Sequence, residues 1–159
     1  MQQLQRDARW LDWLTLGVFS LVLAASLAVA SPLFGTPPVY GPYRLHVIRV
    51  VDGDTIDAEV ALWPGLSQRT LVRLAGVNAP EIRTRDDCER DAGRAATAFV
   101  TRTLQAARRV ELDAVDLDKY GGRVVGVVYV DGRSLGELLV QAGHARPYDG
   151  GARGSWCSP

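Results

Sequence analysis

The chain has 159 residues, 47% of them hydrophobic, and a formal net charge of zero. That length holds one domain of ordinary size plus an appendage, with enough apolar residues for a real core. Neutrality excludes a protein that grips polyanions by overall charge but leaves room for a local basic cleft. Lys119 is the only lysine, a bias we attribute to overall composition.

Arg6 and Arg9 precede an apolar run at 14–30, and no charged residue occurs between Trp13 and Arg44. The run falls just short of the roughly 20 residues of a spanning helix and exceeds most signal-peptide cores. Ala28-Val29-Ala30 before Ser31 fits a small-x-small cleavage site. The two readings are a membrane-anchoring helix and a cleaved signal peptide at 1–31. Either places the remainder of the chain outside the cytoplasm, because positive residues ahead of such a segment stay inside. Residues 32–42 are rich in proline and glycine and read as an extended linker. The folded domain is expected over 43–148, with an irregular tail at 149–159.

Alternation predicts a first strand at 43–51. A second starts at Thr55, with Ile56, Ala58, Val60 and Leu62 inward and Asp57 and Glu59 on a wet face. Residues 63–68 read as turn material, and a third strand is expected at 69–77. Pro80 makes the next segment a loop. A helix is expected at about 89–107, its apolar stripe formed by Ala92, Ala95, Ala96, Phe99, Val100, Thr103, Leu104 and Ala107. Strands four and five fall at 108–115 and 122–130, the latter ended by the Asp131-Gly132 turn. Ser134 and Glu137 form a capping box for a short helix with Leu135, Leu138, Leu139 and Ala142 inward. Gly143 stops that helix. The fold class is therefore α+β, mainly β: a five-stranded Greek-key barrel of the OB type with two or three helices, plus the N-terminal hydrophobic helix. Cys88 and Cys157 form an even pair beyond the apolar run, which in an oxidising compartment reads as a disulfide. It would close a loop of roughly 70 residues, worth roughly 4 kcal/mol by chain entropy; two free thiols are the alternative.

Asp52 and Asp54 flank a single glycine where a turn needs at most one carboxylate. With Asn78 and Glu81 in the loop after the third strand, they offer hard oxygen ligands suited to Ca²⁺ or Mg²⁺ rather than zinc. The plainer alternative is a pair of surface turns capped by their own Asp and Asn side chains. Arg73 and Arg123 add two guanidinium forks suited to a phosphate diester. Carboxylates for a metal, Glu81 for water and two arginines for phosphate would together serve phosphodiester hydrolysis. His144 comes just after the glycine stop and suits a helix C-terminus rather than catalysis.

The segments "VVDGDTIDAEV", "VRLAGVNAPE" and "DKYGGRVVGVVYVDG", in that order, resemble the staphylococcal (thermonuclease-like) nuclease domain over about 43–148. The resemblance implies a calcium-dependent phosphodiesterase acting on DNA or RNA, with Mg²⁺ or another divalent cation as substitutes, and a monomer is expected. It implies that Asp54 binds the cation, with Asn78 and the Ala79 carbonyl as further ligands and Asp52 close to the metal without binding it. Arg73 and Arg123 would hold the phosphate and Glu81 would act as general base. Lys119 and Tyr120 would meet the substrate, Tyr120 by stacking on a base or else by packing on the barrel. The sequence departs from the founding pattern in two places. Asn78 replaces an aspartate, which predicts weaker calcium binding through the lost charge, and Ala79 replaces a threonine that acts through its carbonyl. A second glycine, Gly121-Gly122, precedes Arg123 and threatens the placement of its guanidinium. Binding of single strands without cutting, or an envelope interaction that reuses the barrel, are the competing functions, and a membrane is a partner if the N-terminal segment stays uncleaved.

Overall fold

The computed structural model describes residues 41–119 and 121–157. The expected N-terminal helix, most of the linker and Tyr120 lie outside the described residues. The described residues all belong to one unit of the chain, Val39–Pro159, which holds the barrel and its helices.

Five long strands make the barrel: β1 (Tyr43–Asp52), β2 (Thr55–Trp63), β3 (Leu66–Leu74), β5 (Val110–Leu117) and β6 (Arg123–Val130). They run in the order β3-β2-β1-β5-β6, antiparallel throughout except for a parallel pairing of β3 with β6 that closes the sheet on itself. This is the OB-type barrel expected from the sequence; the closing pairings are short, β1 meeting β5 only at Tyr43 and Arg44 and β3 meeting β6 only over Leu71–Leu74. Three strands of two residues each supplement it: β4 (Val77–Asn78), β7 (Arg133–Ser134) and β8 (Arg146–Pro147). Helix α1 (Asp87–Ala106) comes after β4, and α2 (Leu135–Gln141) after β7.

The core gathers Ile56, Ala58, Val72, Leu74, Leu112 and Val128 from strand faces, with Ala96 and Val100 from α1 and Leu135 and Leu139 from α2. Each helix starts on a side-chain cap. Asp86 accepts from the Cys88 and Glu89 amides, and Ser134 accepts from the Glu137 amide at 3.3 Å. Such caps satisfy orphan N–H groups at a helix start. His144 packs its ring 5.0 Å from that of Phe99, a structural contact between the helix end and α1.

Several expectations need correction. The segment 63–68 is a tight hairpin at Pro64-Gly65, with strand pairing resuming at Leu66. The third strand ends at Leu74, and a turn through Ala75-Gly76 separates it from β4, because Gly76 takes a left-handed φ of 73°. Leu62 lies on the wet rim, as β2 outruns the core there. On α1 Ala95 is exposed and Gly93 buried, which rotates the inward stripe by part of a turn. Ala142 is exposed at the end of α2.

Asp57 is the most informative correction, since it is buried rather than on a wet face. Arg69 grips it with Nε at 3.0 Å and Nη2 at 2.8 Å, and Arg49 adds Nε at 3.1 Å. The guanidinium groups of both arginines bind it while their side chains stay more than half exposed. The Arg69 hydrogen bonds, against the opposing effect of burial, hold its pKa below the ordinary value of 3.8. A carboxylate lowered on folding stabilises the native state at neutral pH and loses that contribution as pH falls through the folded value. Asp57→Asn is therefore expected to lower the melting temperature by several degrees at pH 7, with the gap to the native chain narrowing as the pH drops below 3.8. Thermal unfolding across pH checks this; a gap that stays constant down to about pH 2 would refute it.

Candidate active site

The β1–β2 turn consists of Gly53 and Asp54, with Asp52 and Thr55 paired across it. Asp52 accepts the Asp54 amide at 3.1 Å, a local side-chain cap of the turn. Gly53 is required by space: a Cβ there would lie 2.7 Å from the Cβ of both Ala79 and Ala96. The turn thus rests on α1 and on the loop after β4, and small residues at 53, 79 and 96 let all three meet.

Asp54 sits in this turn, one residue ahead of β2, and is only 5% exposed. Its Oδ1 pairs with Arg73 Nη1 at 2.6 Å and accepts from the Thr55 hydroxyl at 3.1 Å; Oδ2 accepts from the Ala79 amide at 3.0 Å. Its carbonyl accepts the Leu74 amide at 2.8 Å. Arg73 is itself buried and donates through Nη2 to the Val77 carbonyl at 3.2 Å. Asp54 and Arg73 therefore clamp the turn, the end of β3 and the loop that carries Asn78, Ala79 and Glu81.

Asn78 belongs to β4 and pairs with Arg146 of β8. Its Oδ1 is buried without a hydrogen-bond partner, which a native structure seldom tolerates without a ligand or water to satisfy it. Glu81 stands on the next loop, which Gly93 of α1 touches so closely that a Cβ would lie 2.8 Å from the Pro80 carbonyl oxygen. The Glu81 amide donates to Glu89 at 3.3 Å, and its Oε1 accepts from Arg153 at 2.6 Å.

Arg123 opens β6 beside β3. The parallel register sets Leu71 against Arg123 and Arg73 against Val125, so the two arginines share one face of neighbouring strands. Asp118 holds Arg123 through Nε at 2.5 Å. Both glycines of the intervening turn are left-handed, Gly121 at φ 71° and Gly122 at φ 73°, so this turn uses each of them for a backbone that other residues rarely adopt. Arg73, Arg123, Lys119, Tyr148 and Arg153 line one cavity of about 620 Å³ together with Asp116, Asp118 and Asp149.

Burial, then the charge of Asp54 and, more weakly, that of Glu81, push the pKa of Asp52 up to about 6. Burial works against the Arg153 cation, but hydrogen bonds to Glu81 and Tyr148 and the charges of Glu81 and Asp54 outweigh it and raise its pKa. Three carboxylates and two guanidinium groups thus act on one another within a small volume.

The structure brings Asp52, Asp54, Asn78, Ala79, Glu81 and Arg73 together around one turn and one loop, and sets Lys119 and Arg123 along the adjoining cleft. Cys88, in the first turn of α1, and Cys157, in the tail, are joined as a disulfide with Cα atoms 6.3 Å apart. Sequence reasoning missed Asp118, Tyr148 and Arg153. Asp118 had a signal, since it opens the same turn that Arg123 closes.

The profile described as "Staphylococcal nuclease homologue" matches residues 71–154. The chain belongs to the staphylococcal nuclease homologue family. It is 30% identical over 118 residues to an "Uncharacterized endonuclease" of Escherichia coli, covering 74% of this chain and 69% of that protein. It is 29% identical to a "Micrococcal nuclease" of Shigella flexneri, over 81% of this chain and 72% of the relative. A "Thermonuclease" of Staphylococcus intermedius is 33% identical over 84% of this chain and 80% of the relative. The stretch matched by the family profile contains Arg73, Glu81, Arg123 and Arg153, while Asp52 and Asp54 precede it.

Proposed function

We propose that this chain is a divalent-cation-dependent nuclease that hydrolyses phosphodiester bonds of nucleic acid, with Ca²⁺ as the natural cation. The observation that carries the reading is the buried Asp54–Arg73 pair, which fixes the loop of Asn78 and Glu81 beside a cleft lined by Arg123. The nuclease names of the relatives support the same substrate class.

The residues fit a hard cation. Of about four lone-pair sites on a carboxylate, Asp54 uses two on Oδ1 and one on Oδ2 within the protein. One site on Oδ2 remains, near a chain segment whose Asn78 oxygen has no donor. Asp54, Asn78 and the Ala79 carbonyl are the residues that would hold the ion, with Asp52 contributing charge from behind. A bound cation supplies charge neutralisation on the phosphate and a more acidic water.

The remaining work falls to the side chains. Glu81 accepts the proton of the attacking water as the new oxygen–phosphorus bond forms and the ester oxygen–phosphorus bond on the opposite side breaks, the leaving oxygen taking its proton from solvent. Arg73 retains three of its five donors after Asp54 and Val77 take two, and with Arg123 it faces the phosphoryl oxygens as their charge grows. Asp118 keeps the Arg123 fork oriented, which limits the reorganisation needed at the moment of reaction. Lys119 adds a further cation along the strand path.

We also propose that the domain acts outside the cytoplasm. Two features support this: the arginine-preceded apolar run at 14–30, and a disulfide, which persists in oxidising compartments.

The test uses the full chain, purified oxidised, with single-stranded DNA and RNA in Ca²⁺, in Mg²⁺ and in chelator. Cleavage in Ca²⁺ that stops on chelation and is missing from Asp54→Ala, prepared in parallel, is the expected result. Binding of strands without cutting in any cation would replace the nuclease with a strand-binding module. Cutting that survives chelation in a preparation free of contaminating activity would remove the cation from the reading.

A further inference from the structure

The tail after β8 has no regular structure, yet it is pinned on both sides. Ahead of it, the Tyr148 amide donates to the Gly76 carbonyl at 2.9 Å and the Tyr148 hydroxyl to the Gly151 carbonyl at 2.7 Å. Beyond it, Arg146 donates to the Ser155 carbonyl at 2.9 Å and lies 4.2 Å over the Trp156 ring. The Cys157–Cys88 bridge then fastens the chain to α1. Arg153 stands between these pins. It donates through Nη1 to Glu81 Oε1 at 2.6 Å and lines the cleft with Arg73 and Arg123.

Stability does not explain this pair. The two side chains are 45% and 43% exposed, and at such exposure an ion pair contributes little and is screened by salt. Orientation does explain it. Glu81 sits on an irregular loop, where its side chain would otherwise sample several rotamers. With Oε1 taken by Arg153 and the amide held by Glu89, the carboxylate has one direction left in which to act as a base. The bridge contributes by fixing the backbone four residues beyond Arg153 to the helix that also backs the Glu81 loop through Gly93.

We propose that Arg153 is a positioning residue that orients Glu81 for proton abstraction, and that the Cys88–Cys157 bridge holds Arg153 in place, so that full activity requires the oxidised protein. The proposal rests on the nuclease reading. A dithiol reductant supplies two electrons, which with two protons convert the bridge to two thiols as the reductant closes to its own cyclic disulfide. The Arg146–Trp156 stack and the Arg146–Ser155 bond remain, so reduction should lower activity less than removal of Arg153.

The test measures kcat and KM on the full chain for the native protein, R153A, R153K, E81Q and the double variant E81Q/R153A. R153A is expected to lower kcat about tenfold or more with KM held within about twofold, and R153K to recover part of the loss. In the E81Q background R153A should cause no further loss, the signature of two residues acting as a unit. Dithiol treatment should lower the native kcat and leave R153A unchanged. Three results would overturn the proposal: full kcat in R153A, a rise in KM alone, or a loss in E81Q as large as in the native chain. A native chain that does not cut at all would instead sink the nuclease reading, so the two failures are distinct.

Discussion

Replacing Arg73 with alanine is expected to lower stability by about 3–5 kcal/mol in the absence of a cation and to abolish cleavage. Arg73 and Asp54 have side chains 11% and 7% exposed, and their atoms meet at 2.6 Å. Taking away the guanidinium leaves a mostly buried carboxylate without its counter-charge, together with a Val77 carbonyl short of its donor. Breaking one side of a buried pair in this way is far more damaging than removing both. The double variant Arg73→Ala/Asp54→Ala should therefore be more stable than Arg73→Ala alone, although it is equally inactive. Lysine is a poor substitute, because a single ammonium cannot span Asp54 and Val77 with two oriented donors. A divalent cation should stabilise Arg73→Ala more than it stabilises the native chain, since it then offsets a charge that nothing else offsets. Urea unfolding with and without Ca²⁺ measures all of these differences. A loss below about 1 kcal/mol for the single variant would show that Asp54 is solvated, and it would remove the clamp from the account of the site.

That clamp also marks where the sequence stops being readable. The five long strands were legible because runs of apolar and β-branched residues, alternating in parts of β1 and β2, are bounded by turn signals, and α1 because its small and apolar residues recur at helical spacing. β4, β7 and β8 were not, since two residues carry no period. The gathering of Asp54, Asn78, Glu81 and Arg73 could be anticipated, because a turn and a loop at neighbouring strand ends lie close together in a meander. Asp57 was placed on a wet face for a local reason, its position in the alternation, and is buried where two arginines from β1 and β3 bind it, a non-local arrangement. Arg153 had no local signal of any kind. It meets Glu81 across 72 residues of sequence, in a tail whose composition reads as irregular and whose path depends on the Cys88–Cys157 bridge. Gly93 is similar: its glycine is demanded by the Pro80–Glu81 backbone pressing on the helix, and nothing within α1 itself reveals that.

Glu81→Gln is expected to reduce kcat by about 10²–10⁴-fold, the range for losing a positioned general base, with a much smaller effect on KM and on stability. The substitution keeps the length and shape of the side chain, and its oxygen can still accept from Arg153, so the loop and tail should stay where they are. What disappears is the capacity to take a proton from water as the phosphate is attacked. The half-exposed setting of Glu81 makes the near-neutral stability effect a firm part of the expectation: no buried charge is left uncompensated, in contrast to Arg73→Ala. Gly93→Ala provides the converse experiment. Its added methyl must displace the Pro80–Glu81 backbone, since the clash is with main-chain atoms that cannot swing aside. It leaves every reactive group in the chain but moves the base, and a displacement of about 1 Å is enough for a loss of about 10²-fold. If Glu81 acts only as a structural partner of Arg153, Glu81→Gln will cut at nearly the native rate. If Glu81 is the base, both variants lose kcat.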